Sequence, residues 1–474
     1  MKIELLNNEQ IRMIHTNSIR ILETIGVQIP HEEVLELFRG EHAEVDKDKQ
    51  IVKIPEKLIN HSLEVCGKQF TIYGRDRSQK GEFGVGKRNY HTVEGEPLWV
   101  DDNLQRRYTT LEDIGAAARL GDALPRLNIV GAMSDAHEIP IDYRYVVIFA
   151  ELFKHTTKPI MNFFHNRPTT RFILDLFTII AGTKEEAIKY PFTFPFFEPI
   201  SPLRYPRDGV DLLFETCRYN LPVQIGPIVQ AGATGPVTLA GTMVQENAEI
   251  LAGNCIVQII NPGNPIIYGA LQTIFDMGTT QMVLGGPEQA LMAVGMTQMG
   301  KHYNLPVYVN VGFTDSKIMD AQAGLEAGIN LACGMMARAD KYGVMGTYGG
   351  DQGGSLLMLM MQHELIGFID RMIEGVEISD EKIGLEIIKH AKETGTFLTE
   401  KHTLKHFRKE LWFPELLDRN CWEVWVDKGK KDMMSRCKEM KDKLLKEHEP
   451  EPLADDMQKE IDKLLHDAKK HLSK

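Results

Sequence analysis

The sequence predicts an α/β fold of the (β/α)8 TIM-barrel class, with an N-terminal α+β extension and a charged helical C-terminal tail. Three observations carry the prediction. Short apolar runs recur along the chain, separated by helix-length stretches, which is the signature of parallel strands with crossover helices. Most of these runs are apolar throughout rather than alternating, as strands buried on both faces are. Their C-terminal ends break into Gly-rich, aromatic and acidic residues, the place where barrels of this class build their sites. A doubly wound open sheet would accept the same strands, but no G-x-G-x-x-G follows any of them, so a dinucleotide site lacks support.

Residues 1–120 are unlike the rest and read as a small α+β extension. A helix starting near Asn8 carries Ile11, Ile14, Ile19, Leu22 and Ile25 on one side. VQIPHEEVLELF follows, where Pro30 and the pair Glu32-Glu33 suit a helix start. QIVKIPEKLI and KQFTIYG read as short strands, and FGVGKRNYHTVEGEPLWVDD as a long loop or hairpin. YTTLEDIGAAARLGDAL is a helix with Thr110 as N-cap and Asp113 three residues on.

The alternation occupies residues 121–430. Strand candidates are 127–133, 159–164, 192–197, 222–229, 265–271, 306–313 and 342–348, with GTFLTE (395–400) as the eighth. Helices are expected over 169–181, 208–219, 236–257 and 286–303 among others. The unit from Pro306 to Gly354 is the clearest: PVYVNV delivers Phe313 and Asp315, an Ala-, Leu- and Met-rich helix follows, and KYGVMG delivers Tyr348 and Asp351. Residues 431–474 form a charged tail of two amphipathic helices flanking the breaker EHEPEP.

Composition narrows the function. Of 474 residues 43% are apolar, enough for a large core, and 54 Lys plus Arg stand against 66 Asp plus Glu. That acidic balance, with no K/R-rich run, argues against a nucleic-acid partner. The six cysteines are scattered without a CxxC, which suggests reduced thiols and neither a disulfide framework nor a zinc site. MKIELLNNEQIRMIHTNS lacks the apolar core of a signal peptide, and no apolar run reaches the ~20 residues of a membrane span. A soluble cytoplasmic protein with no membrane partner is expected.

Aromatic and acidic residues concentrate at strand ends: Phe163, Phe164 and His165; Phe196, Phe197 and Glu198; Tyr268 and Phe275; Phe313 and Asp315; Tyr348 and Asp351. Ring faces attract cations, and quaternary ammonium groups are their best-known ligands. The competing reading makes any single ring part of the barrel core. We take Phe164, His165, Glu198, Gln230, Phe313, Asp315, Tyr348 and Asp351 as pocket lining, with Tyr90 and His91 in the Gly-rich N-terminal loop as a lid. His155, His165, His302 and His363 occur singly, without HxH or HExxH, so no metal site is expected. Asp and His spread over strand ends leave a metal-dependent barrel hydrolase as an alternative, and a non-catalytic ligand-binding barrel as another. Ser134, Ser201, Ser316 and Ser355 lie in no G-x-S-x-G, and Cys333 falls within a helix. GPIVQAGATGPVTLAG reads either as an anion-facing turn at a helix start or as a loop closing the barrel.

At these residues the chain resembles the trimethylamine methyltransferase superfamily of corrinoid-dependent methyltransferases. The resemblance rests on ILETIGV, RRYTTLEDIGAAARLGDAL, PIVQAGATGPVTLAG, VGFTDSKIMDAQAGLEA and FLTEKHTLKHFRKELWFPELLDRNCWEVW, and so spans nearly the whole chain. It implies a TIM barrel. The family's trimethylamine-demethylating members use pyrrolysine; this chain reads through with ordinary residues and is similar to the pyrrolysine-lacking branch, which includes glycine betaine methyltransferases. The resemblance then implies methyl transfer from a quaternary amine, glycine betaine or a related betaine, to the Co(I) corrinoid of a separate carrier protein. No tightly bound cofactor is expected, nor an acid, base or protein nucleophile, because the amine leaves neutral and the enzyme's task is positioning. A betaine's carboxylate would need donors, for which Gln230 with nearby loop amides, His165, His402 and Arg408 are candidates. A homo-oligomer is expected from the charged C-terminal helices and the large barrel.

Overall fold

The computed structural model describes residues 1–473. Its centre is a parallel sheet in an α/β fold. We number the parallel strands β1 (Asn89–Thr92), β2 (Val130–Gly131), β3 (Ile160–Met161), β4 (Phe196–Phe197), β5 (Val223–Ile225), β6 (Ile266–Ala270), β7 (Val307–Asn310) and β8 (Lys341–Met345). Six of them form one curled sheet in the order β4-β5-β6-β7-β8-β1, and β2 pairs with β3. Backbone hydrogen bonds join the two sets. Ile129 and Met133 N–H donate to Tyr90 and Val93 carbonyls, and Ile160 N–H donates to the Phe192 carbonyl.

The strands expected from 127 to 348 all occur in place, with fewer ladder residues than their apolar runs. The eighth does not lie at 395–400. That segment is a turn region with Leu398 almost fully exposed and no neighbouring strand to bond. The eighth parallel strand is Asn89–Thr92, inside the stretch read as a loop. NYHT is too short and polar to show a strand period, yet all four residues are buried, because β8 supplies the ladder and neighbouring elements cover both faces.

The helices obey their local signals. Asn8–Thr24 opens with a capping box between Asn7 and Gln10 and buries Ile14, Ile19 and Leu22 against the helix Leu239–Ile260; Ile25 at its end stays exposed. Leu111–Ala123 opens with the Thr110–Asp113 box. Leu239–Ile260 is buried over most of its surface, polar residues included. Its Glu246 accepts the backbone N–H groups of Val229, Leu271 and Gln272, and its Glu249 those of Leu203 and the Ser201 hydroxyl. Buried carboxylates thus tie down the loops that follow the strands, since a loop amide left unpaired inside the protein would cost about 1–3 kcal/mol. The tail helices Met433–Glu447 and Asp455–Leu472 pack on Leu111–Ala123 and Leu356–Glu374, and on Ile141–His155 and Arg167–Ala181, respectively. Among the described residues no helix is long and apolar enough to cross a membrane.

Candidate functional site

The C-terminal ends of the parallel strands surround two joined cavities. The inner one, about 210 Å³, is lined by Glu94 past β1, Phe163 past β3, Phe196 and Glu198 at and past β4, Tyr308 on β7, Phe313 past β7 and Asp351 past β8. The outer one, about 630 Å³, shares Phe163, Phe196, Glu198 and Ile228 and adds Tyr145, Phe164, His165, Gln230 and Thr234. The outer cavity is therefore the vestibule of the inner.

Two glycines set the rings. A Cβ at Gly95 would stand 2.9 Å from the Phe163 ring, and a Cβ at Gly226 would stand 2.6 Å from the Phe196 ring, so both rings lie flush on bare backbone. Their centroids are 6.2 Å apart. Asp351 is held at φ 68°, a left-handed conformation that costs a non-glycine residue about 1 kcal/mol or more. That cost puts its carboxylate on the cavity wall.

The cavity is acidic and its charges are unevenly held. Below it, Lys341 on β8 is completely buried, its ammonium 3.6 Å from Glu94, 2.8 Å from the Gln224 side-chain oxygen and 4.0 Å from the centre of the Tyr308 ring. Burial brings Lys341 down to about 7, against the pull of Glu94. The Glu94 carboxyl is raised by burial, with Lys341 opposing. Glu198 is exposed where the two cavities join, yet the surrounding protein takes bulk water away from much of its carboxyl. Desolvation there pushes it up to about 7, and Asp351 adds to the shift. Glu96, buried beside Asp351, is pushed well above the usual carboxylate range, first by burial and then by that neighbour. The result is a small chamber with four rings and three carboxylates on its walls and no arginine among them. Such a chamber suits a compact cation.

Of the residues singled out from the sequence, Glu198, Phe313 and Asp351 line the inner cavity, and Phe164, His165 and Gln230 the outer. Four lie elsewhere. Asp315 accepts the Leu284 and Gly285 N–H groups at 3.1 and 2.9 Å and anchors that turn. Tyr348 is buried beside the site without lining either cavity. Tyr90 stacks on Tyr342 and bonds Asp370 through its hydroxyl, and His91 is buried inside the sheet with Nδ1 on the Thr92 carbonyl. Both belong to β1, so neither forms a lid; strand pairing leaves no free loop there. His402 and Arg408 sit on the helix Lys401–Glu410, away from both cavities. Glu94, Gln224, Tyr308 and Lys341 were missed. A lone lysine opening the apolar run KYGVM, and the acidic VEGEP after NYHT, were the available signals. Among the described residues no group of three or more His, Cys, Asp or Glu is arranged to hold a metal.

Comparison with known proteins points one way. The sequence model of the trimethylamine methyltransferase (MTTB) family matches residues 1–473. A glycine betaine methyltransferase of Desulfitobacterium hafniense is 29% identical over 429 residues, 90% of this chain and 89% of the relative. A trimethylamine methyltransferase MttB of Methanosarcina thermophila is 27% identical over 477 residues, 97% and 96% of the two chains. Among solved structures, the monomethylamine methyltransferase MtmB of Methanosarcina barkeri covers 92% of each chain at 12% identity, with a TM-score of 0.46.

Proposed function

The chain belongs to the trimethylamine methyltransferase family, and from that premise we propose that it moves a methyl group from a quaternary amine to the corrinoid of a separate carrier protein. The observation that carries the substrate class is the inner cavity, where Phe163, Phe196, Phe313 and Tyr308 face the carboxylates Glu94, Glu198 and Asp351. The glycine betaine methyltransferase among its relatives supports a betaine as the donor. The reading includes a closed (β/α)8 barrel, which the bonds from β1 to β2 and from β3 to the Phe192 carbonyl support.

An inner cavity of about 210 Å³ fits a methylated ammonium head and excludes a corrin ring. Ile200 is the exposed apolar side chain of the vestibule against which such a ring would rest, with Tyr145, Phe164 and Leu212 largely buried in the same wall. When bound, the corrinoid supplies the cobalt nucleophile that accepts the methyl group. The chain does the rest by position. Its rings and carboxylates hold the head so that one methyl faces the vestibule, and they exclude water from the line of attack. The nitrogen keeps the bonding electrons and leaves as a neutral tertiary amine, so no side chain needs to give or take a proton. Positive charge on nitrogen fades in the transition state, and a cage with unopposed carboxylates would favour the ground state instead. Lys341 behind Glu94 offsets one of them. For a betaine, His165, Gln230 and Thr234 in the vestibule are the donors within reach of its carboxylate.

The test is spectroscopic. Purified protein, a carrier reduced to Co(I) and a panel of quaternary amines should yield methyl-Co(III) with one betaine and none with trimethylamine. Unchanged cobalt spectra across the panel, with a carrier that a known methyl donor does convert, would reject the reading.

A further inference from the structure

Just past Glu94 in the chain, Glu96 is 1% exposed, and neither of its carboxyl oxygens meets an N–H or O–H group among the described residues. Its backbone leaves it little freedom to find one. Its N–H donates to the Met133 carbonyl, and its own carbonyl accepts the Asp135 N–H and the Ser134 hydroxyl. An ionised carboxyl held there would have neither water nor a partner, an arrangement that folded proteins avoid.

What Glu96 does meet is a second carboxyl. Its side chain lies within hydrogen-bonding reach of Asp351. The segments that carry the two run side by side: Trp99 pairs with Gly354, whose N–H donates to the Leu98 carbonyl. Asp351 closes a run of three left-handed residues, with Gly349 at φ 68° and Gly350 at φ 64° before it. The N–H groups of those two glycines are tied to the Ser316 and Thr314 carbonyls. The other acidic groups nearby are already engaged. Glu94 faces Lys341, and Asp135 accepts from Arg144 and the Tyr145 hydroxyl.

We propose that Glu96 is a positioning residue whose carboxyl stays protonated and donates its O–H to Asp351, so that the pair presents one negative charge to the cavity rather than two. Two carboxyls in contact resist ionising together, and one proton shared between them is the stable arrangement. The charge falls to Asp351, because Asp351 lines the cavity and Glu96 does not. Burial and the nearby Asp351 both push Glu96 toward the protonated form. For an ammonium head the pair does two things. It fixes an Asp351 oxygen on the wall, and it keeps the wall from gripping the ground state too hard. The inference rests on the reading of the inner cavity as a cation site.

Infrared difference spectroscopy and calorimetry test the proposal on the full chain. Neither needs methyl transfer, so a failed corrinoid assay and a failure of this inference are separate results. At pH 8 the spectrum of the wild type minus that of Glu96→Gln should contain the carbonyl stretch of a protonated carboxyl, shifted in D2O. The band is read with no ligand present, so its absence overturns the proposal whether or not the cavity takes a cation. In Glu96→Gln the amide N–H still donates to Asp351, and tetramethylammonium should bind within about twofold of the wild type. Glu96→Leu has no donor and should bind it about tenfold more weakly. A folded leucine variant as tight as the wild type overturns the proposal. Should that variant fail to fold, the band and the glutamine variant decide: a missing band, or a glutamine variant about tenfold weaker than the wild type, overturns it.

Discussion

Partial desolvation at the cavity wall holds Glu198 near a pKa of about 7, with Asp351 adding to the shift, and this makes cation binding a function of pH. At pH 6 such a carboxyl is about one-tenth ionised, and at pH 8 about nine-tenths. A bound quaternary ammonium favours the ionised form. Its apparent affinity scales with the fraction of protein that is competent to bind, so Kd should fall by up to about tenfold from pH 6 to pH 8. In the empty protein the sign is reversed: the folded state keeps a proton that the unfolded chain releases near 4.5, so this group's contribution to stability falls as pH rises from there through 7. Lys341 also titrates near 7, and its loss of a proton acts on cation binding in the same direction. Glu198→Gln separates the two. Calorimetric titration with tetramethylammonium, which carries no titrating group of its own, should show the slope in the wild type and most of it lost in the variant. A flat wild-type profile, or a slope that Glu198→Gln leaves intact, would refute the reasoning.

Three further outcomes are expected. Phe163→Ala removes one face of the cage and should weaken tetramethylammonium binding by about 0.5–2 kcal/mol, roughly 2- to 30-fold in Kd; calorimetry with unchanged affinity would remove that ring from the site. Asp315→Ala strips two backbone N–H groups of their acceptor and should cost about 1–3 kcal/mol in urea unfolding while leaving ligand affinity near that of the wild type. Loss of affinity without loss of stability would return Asp315 to the pocket. Gly226→Ala drives a methyl group into Phe196 and Leu271, each 2.6 Å from the new carbon, and should both destabilise by about 1–3 kcal/mol and weaken the ligand, read by thermal melts with and without tetramethylammonium.

The placement of these residues shows where sequence reasoning stopped. Glu198, Phe313 and Asp351 were legible because each stands at, or within three residues of, the end of an apolar run that reads as a buried strand. Asp315 stands just as near the end of one, yet its side chain turns to the Leu284–Gly285 amides. Strand position fixes where a side chain starts, and the nearest unpaired amide decides where it ends.

The sequence by itself determined the elements: seven parallel strands whose apolar runs reflect burial on both faces, two capping boxes, and the family through motifs spread along the whole chain. Only the tertiary structure decided the rest. NYHT became a strand because β8 offered it a ladder, a pairing across some 250 residues that no local period encodes. Glu94 and Lys341 acquired opposite shifts because folding buried them 3.6 Å apart. Phe163 and Phe196 became a cage because each found a glycine backbone to lie on. Periodicity is a short-range property of the chain, whereas desolvation and ring packing depend on neighbours that only the folded chain brings together.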